Sequence, residues 1–425
     1  MYKEKILSLL KSEMGQALGV TEPAAIALAS CKAYEAVGGK LKKIKVTTDP
    51  GVFKNGFSCG IPGTDEMGNE IAAILGVLSG NSKFELKVLE NIKEEEIIKA
   101  KKLREDKIVQ VDVKKGLTKI LIDAVVITDK GVGRAVIKDK HTNIVLVEAD
   151  GKIKYKSEED NKIESNKDKF SIIDLKLADF INFINEIEFE DIKFTLEAIK
   201  VNKKLAEKGI NGAGMGLGKA IYELEKEQKI SGDIISYAQM LTGYAVDARM
   251  GGCSKPAMTI CGSGDHGIIA TIPLAAVAEK MNIEEERLAR AIALSYLVTI
   301  YIKEYSGRLS AFCGCAVAAG TGVSAGTVYL LGGSNKQIEY TINNMAANIT
   351  GMICDGGNLG CSLKAVTAAN AAIMSALISI KDVYIPNNSG IVGNTVEDTM
   401  KNIGKVASPG MIETDNVILD TMLER

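Results

Sequence analysis

The sequence predicts an α+β fold: a mostly helical domain carrying a smaller α+β domain. Three observations predict it. The chain has 425 residues, more than one ordinary core accommodates, so two domains are expected. Between Lys40 and about Tyr155, β-branched residues alternate with polar ones, the pattern of half-buried strands. From Ile172 onward, apolar residues recur at helical spacing. The resulting division is residues 1–39, two helical stretches packed on the helical domain; residues 40–165, the α+β domain; and residues 166–425, the helical domain.

The elements follow in order. "MYKEKILSLLKSEMG" reads as an amphipathic helix whose charges interrupt any apolar core, unlike a signal peptide. "EPAAIALASCKAYEAVGG" is a second helix, with Thr21 as N-cap, Pro23 in the first turn and Gly38-Gly39 as the stop. "KIKVTTD", "KIVQVDV", "KILIDAVVIT" and "NIVLVEAD" read as strands. Helical stretches such as "EMGNEIAAILGVLSG" and "EEEIIKAKKLRED" lie among them. Lys156 to Lys169 is polar and charged enough for a linker or exposed loop. Then come "DIKFTLEAIKVNKKLAEKG", "ISYAQMLTGYAVDARMGG" and "EEERLARAIALSYLVTIYIKEYSG", each stopping near Gly. The last helices, "AVAAGTGVSAGTVYLLGG" and "LKAVTAANAAIMSALISI", are dominated by small residues that allow close helix approach, so they are expected at the buried centre. Such helices also bury surface between subunits, and a homodimer is expected.

Composition excludes several classes. The formal net charge is -2, with no basic excess to displace counterions from phosphate, so no nucleic-acid partner is expected. No stretch is expected to reach eighteen strongly apolar residues; the nearest, Ala316 to Gly333, is rich in Gly, Ala, Ser and Thr and reads as a buried helix, so no membrane partner is expected and the location is expected to be cytoplasmic. The two histidines, His141 and His266, are too few for a site built on several His ligands.

Of eight cysteines, six lie beyond residue 250: Cys253, Cys261, Cys313, Cys315, Cys354 and Cys361. In a reducing compartment such clustering points to metal or catalysis over disulfides. If 354 to 361 were helical, the seven-residue step would span about 10.5 Å, too far for two thiolates to grip one small centre comfortably. "DGGNLG" lies between them, however, and a Gly-rich loop can fold both inward. "CGC" at 313–315 precedes a helix; residues two apart on a helix point about 200° from each other, so Cys313 and Cys315 are not expected to serve one centre together. One of them with Cys354 and Cys361 makes three thiolates. That fits a structural zinc site poorly, since zinc takes four ligands, but fits a cubane cluster with one iron left open. Buried cysteines packing as small hydrophobes are the alternative.

The motifs "VTEPAAIALA", "DPGVFKNGFSCGIPGT", "CGSGDHGI", "GRLSAFCGCAVAAGTG" and "TGMICDGGNLGCSLK" together resemble the L-cysteine desulfidase family, whose helical domain is similar to the catalytic chain of iron–sulfur L-serine dehydratases. The resemblance covers Gly15 to about Met422. It implies a [4Fe-4S] cluster held by three cysteines and β-elimination of L-cysteine to hydrogen sulfide, ammonia and pyruvate, that is, a carbon–sulfur lyase of cysteine catabolism with a small amino-acid substrate. The implied ligands are Cys315, Cys354 and Cys361; Cys315 is preferred to Cys313 because the related dehydratases carry a Gly-Cys pair before a small-residue helix.

Other roles follow from the same motifs. His266, with Asp265 beside it, is the candidate catalytic pair, since a histidine suits proton abstraction; Lys255, Lys303 and Lys364 are alternative bases. Ser263 and Gly264, at the start of the helix after "CGSG", are candidate substrate-binding residues through backbone N–H groups. Thr21, Glu22, Asn55 and Gly56 are further substrate-binding candidates from the N-terminal part. The family usually reads Cys-Thr-Glu-Pro where this chain has Val20-Thr21-Glu22-Pro23. An iron–sulfur serine dehydratase is the nearest alternative. A pyridoxal-phosphate lyase and a non-enzymatic metal-binding or sensor protein are the alternatives from other classes.

Overall fold

The computed structural model describes residues 2–117, 119–157 and 170–424; the linker expected over 156–169 lies, from residue 158 on, outside the described residues. In chain order, α1 (Tyr2–Glu13) and the short β1 (Gly15–Leu18) lead into α2 (Thr21–Glu35). β2 (Leu41–Thr48), α3 (Pro50–Gly56), α4 (Asn69–Ser79) and α5 (Glu94–Glu105) follow. Five strands come next: β3 (Val109–Val113), β4 (Leu121–Thr128), β5 (Val132–Lys138), β6 (Ile144–Ala149) and β7 (Lys152–Lys156). The helical part begins with α6 (Leu177–Glu186), α7 (Phe189–Ile192), α8 (Glu197–Ile210), α9 (Leu217–Lys226) and α10 (Ile234–Met250). After β8 (Pro256–Thr259) come α11 (Gly264–Ile269), α12 (Ile272–Met281), α13 (Glu285–Ser306) and α14 (Gly320–Leu330). The chain closes with α15 (Asn335–Ile349), α16 (Gly360–Ser379), α17 (Val396–Lys405) and α18 (Ile412–Leu423). The α+β class expected from the sequence is the class observed.

The larger sheet runs in the order β3-β2-β4-β5-β6-β7, with β2 and β3 parallel and the other neighbours antiparallel. Alternation along β4 buries Ile122, Ala124 and Val126, the period-two burial of a sheet covered on one face. The sequence pattern marked four of these strands. It missed β5, whose "VGRAVIK" follows β4 through a three-residue turn, and β7, an edge strand exposed along its length whose lysines suit an edge.

The first forty residues divide between the two cores, whereas the sequence reading placed both helices on the helical domain. Ile6 and Leu10 of α1 join the helical core with Phe180, Tyr296 and Ile300. Ile26, Leu28 and Ala29 of α2 join Ile44, Val46, Ile74 and Ala124 in the sheet core. The reason is burial all round: twelve residues of α2 are buried, so the helix needs cover on more than one side. Thr21 is also displaced from its expected cap position. Val20 holds the extended N-cap conformation, and the Thr21 hydroxyl donates instead to the Glu22 carboxylate at 2.9 Å.

Among the contacts between the N-terminal and the helical parts, two position the site. β1 pairs antiparallel with β8, aligning Gly15 with Thr259 and Leu18 with Pro256. This sets Val20-Thr21-Glu22 beside the turn that follows β8. The loop before α16 lies on α3, where the Gly357 N–H donates to the Asn55 carbonyl at 3.1 Å.

Small residues bring the central helices together as expected. A Cβ at Gly322 would stand 2.3 Å from the Ser295 carbonyl oxygen, so α14 packs on α13 at backbone contact. Among the described residues, α16, rather than the 316–333 stretch, is the one helix long and apolar enough by length and composition to cross a bilayer. Its Ala365, Ala368, Ala369, Ala372 and Ala376 are buried in this protein's core.

Candidate active site

The cysteine cluster is assembled by a short backbone ribbon. Phe312 and Ile353 form an isolated antiparallel bridge; the Cys313 N–H donates to the Met352 carbonyl at 2.7 Å and the Cys354 N–H to the Ala311 carbonyl at 2.8 Å. In such a pair, alternate residues share a face. Cys313 and Cys354 therefore project from the side opposite Phe312 and Ile353. After Cys313 the chain turns into a wide π-type turn over Cys315–Ala319 that runs into α14; insertions of this kind often occur at functional sites.

The "DGGNLG" segment is a loop, and α16 starts only at Gly360. Asn358 organises it: its Nδ2 donates to the Gly356 carbonyl at 3.2 Å, and its Oδ1 accepts from the Gly360 N–H at 2.7 Å. Gly356 has φ +92°, and a Cβ there would stand 2.3 Å from the Lys54 carbonyl oxygen. Only glycine combines that left-handed backbone with that contact. The loop thus carries Cys354 and Cys361 inward against α3.

Cys313 and Cys315 interact directly, contrary to the helical-phase expectation. Cys313 precedes the helix instead of lying in it, so the rotation between helical residues does not apply. The Cys315 thiol hydrogen-bonds Cys313 and lowers its pKa, the Ala316 N–H and the Lys364 charge adding to this, while Cys315 is pushed up in turn. Burial raises Cys354 and Cys361, and each also feels the other thiols. By contrast Cys31, Cys59 and Cys261 are pushed up to about 12 chiefly by burial, as cysteines packing as small hydrophobes are.

This donor set fits an iron–sulfur cluster. Four thiols share one region, and Lys54, Lys303 and Lys364 supply positive charge around them, which offsets the charge of several thiolates. Among the described residues, no three His, Cys, Asp or Glu side chains stand close enough to hold one metal ion. A cubane binds each thiolate at a separate iron, a wider arrangement than ligands on a single ion.

A buried carboxylate sits next to the thiols. Glu22 Oε1 accepts from Asn55 Nδ2 at 2.9 Å and lies 3.6 Å from His141 Nε2. Burial would raise its pKa, but His141, Asn55 and Thr21 outweigh burial and bring it down to about 2. Asn55 also links to the cluster, its Oδ1 lying 3.8 Å from Cys354 Sγ. Gly56 has a packing role: a Cβ would stand 1.8 Å from the Asn69 side-chain oxygen. Val20 and Cys59 both border Gly357, so Val20 lies beside the loop between Cys354 and Cys361.

The turn after β8 forms the third wall. Ser263 caps α11, its hydroxyl accepting from the His266 N–H at 3.4 Å. Asp265 is committed to a buried ion pair with Arg249 at 2.6 Å, and Gly264 lies against the same guanidinium. Arg249 reaches the Gly19 carbonyl as well, at 2.7 Å. His266 is buried, and desolvation followed by the Lys303 charge lowers it to about 3; that makes it a weak base at neutral pH. Its Nδ1 has no partner among the described residues. Both His266 Nε2 and Lys303 Nζ crowd Gly314, between Cys313 and Cys315. Lys303 is pushed down to about 8 by burial, against the thiols that raise it.

The structure therefore brings Thr21, Glu22, Asn55, Asp265, His266 and the cysteines around one buried region. Lys255 is exposed, and Lys364 is paired with Asp355. The sequence reading missed Arg249, His141 and Lys54. Lys54 is buried, donating to the Cys354 carbonyl at 2.9 Å and pairing with Asp415. Its signal was position, next to Asn55 in "FKNG"; Arg249, on α10, carried none.

Residues 83–420 match the family described as serine dehydratase alpha chain. The chain belongs to that family. Its relatives include the UPF0597 protein of Clostridium botulinum strain Langeland, 54% identical over 424 residues, covering 99% of this chain and 98% of the relative. That of Clostridium tetani is 42% identical over 422 residues, and that of Caldanaerobacter subterraneus subsp. tengcongensis 39% over 421, each covering 99% of this chain and 98% of the relative. Membership points to dehydratase-like lyase chemistry and to an iron–sulfur centre.

Proposed function

We propose that this protein is an L-cysteine desulfidase: L-cysteine and water give pyruvate, ammonia and hydrogen sulfide. The observation that carries it is the gathering of four thiols beside an ionised, buried Glu22 through Asn55. Cys315, Cys354 and Cys361 would hold a [4Fe-4S] cluster. When bound, the cluster supplies an open iron as a soft Lewis acid for the leaving sulfur.

The protein's own groups do the rest. Glu22, held ionised, takes the substrate ammonium. The Ser263–Gly264 turn and the free Nδ1 of His266 face the carboxylate. Lys303 takes the α-proton, because its lowered pKa leaves a usable neutral fraction near pH 8, whereas His266 and the ion-paired Asp265 are poorly suited to it. Lys303→Met should lower kcat by about 10²- to 10⁴-fold. In the wild type, kcat/KM should rise as pH climbs through about 8, where Lys303 loses its proton; a pH–rate profile of both proteins should show that limb only in the wild type.

L-serine dehydration is the second reading, favoured by the description of the family. Anaerobic purification with iron and acid-labile sulfide analysis, then parallel assays with L-cysteine and L-serine, separates the two. About four iron and four sulfide per chain, with faster sulfide release from cysteine than pyruvate from serine, supports the desulfidase. Faster turnover of serine assigns the dehydratase, and a protein without iron after anaerobic reconstitution overturns both.

A further inference from the structure

α16 is packed on its inner sides and bare on its outer one. α10, α14 and α15 lie against it, and Ala365, Ala368, Ala372 and Ala376 form its buried side. The other side carries Leu363, Thr367, Asn370, Met374 and Ile378, all exposed. Their steps of three and four keep them in one stripe along the helix. Leu363 is 54% and Met374 45% exposed. No charged residue lies between Lys364 and Lys381, whereas a helix face that meets water is normally charged or polar. A contiguous apolar stripe on a protein surface marks an interaction site.

We propose that this face of α16 is the two-fold interface of a homodimer, in which the α16 helices of two copies cross antiparallel. The inference does not depend on the reaction proposed above. A two-fold interface must be self-complementary: if one residue meets a second, the second meets the first. The stripe has that symmetry. Leu363 and Ile378 stand at equal steps from the midpoint between residues 370 and 371, and so do Thr367 and Met374. Antiparallel crossing therefore sets Leu363 against Ile378 of the partner subunit and Thr367 against Met374 of the partner subunit, with Asn370 beside the axis. The charges agree with it. Asp355 and Lys364 stand at one end of the stripe and Lys381 and Asp382 at the other, so each end offers one charge of each sign to its counterpart. The extent agrees too. α16 has 20 residues, about 30 Å of helix. Exposed apolar side chains continue the stripe past both ends, Leu359 before it and Val383 and Tyr384 after it; the Val383 N–H is tied back to the Ile378 carbonyl at 3.1 Å. A face of this length with its flanks supplies the about 800 Å² that a stable interface takes from each partner.

Sedimentation velocity over a range of concentrations, on the full chain, tests this with the wild type, Met374→Glu, Thr367→Lys and the double variant. Both side chains are exposed, so circular dichroism should show every variant folded. The wild type should sediment as a dimer. Met374→Glu should raise the dimer dissociation constant at least about tenfold, because the crossing buries two carboxylates without partners. Thr367→Lys should act in the same direction. The double variant sets an ammonium against a carboxylate at both symmetry-related contacts and should recover most of the loss. A monomeric wild type overturns the proposal. So does a dimer that Met374→Glu leaves intact, which places the interface on another surface. A double variant no better than the single ones overturns the antiparallel two-fold register. A wild-type monomer that floats with phosphatidylglycerol vesicles, where Met374→Glu does not, assigns the face to a lipid surface and overturns the dimer.

Discussion

Cys354→Ala is expected to abolish iron binding and to lower activity by roughly a thousandfold or more, the several kcal/mol that a Lewis-acidic metal contributes. Cys354 is the residue at which the separate parts of the site meet. Its N–H fixes the ribbon to Ala311, its carbonyl accepts from Lys54, and its thiol faces Asn55. The substitution leaves both backbone bonds in place, so the loop should keep its path and the loss should be one of ligation. Iron analysis and circular dichroism on the same sample check this: iron should fall to near zero with the helical signal unchanged. Cys31→Ala is the comparison. Cys31 lies in the sheet core, away from the thiol cluster, and its removal should leave iron at the wild-type level. Equal iron loss in both variants would mean that the assay reports general destabilisation and not a ligand.

Arg249→Met should destabilise the protein by about 3–5 kcal/mol, the usual consequence of removing one partner from a buried ion pair. Arg249 and Asp265 are 3% and 8% exposed at their side chains, so water does little to solvate a stranded Asp265. The variant also frees the Gly19 carbonyl, which Arg249 serves where β1 runs into α2. Urea unfolding followed by circular dichroism measures the loss. The double variant Arg249→Met with Asp265→Leu should recover much of it, because replacing both charges by apolar groups removes the unpaired carboxylate. If the single variant is as stable as the wild type, the pair is not structural and Asp265 regains its standing as a catalytic candidate.

Much of the fold was legible because it is written in local periods. Alternation in "KILIDAVVIT" marked β4, and helical spacing in "EEERLARAIALSYLVTIYIKEYSG" marked α13. Signals of this kind weaken where the pattern is short. β1 and β8 are four residues each and exist because they pair with each other, Gly15 aligned with Thr259 far along the chain. β7 buries nothing and so carries no alternation.

The site was legible in its residue types and less so in their roles. The sequence by itself determined that Cys354 and Cys361 lie around a Gly-rich turn, that a small-residue helix follows that turn, and that "TEP" and "KNG" are available to join them. These are properties of composition and spacing within single segments. Only the tertiary structure decided that Cys313 joins Cys315, since a residue just before a helix does not follow helical phase. It also decided that Asp265 is held by Arg249, that burial leaves His266 a weak base, and that His141 from the sheet domain reaches Glu22. In each case the deciding quantity is desolvation or a contact between groups distant in sequence. Both depend on what surrounds a side chain, which linear spacing does not encode.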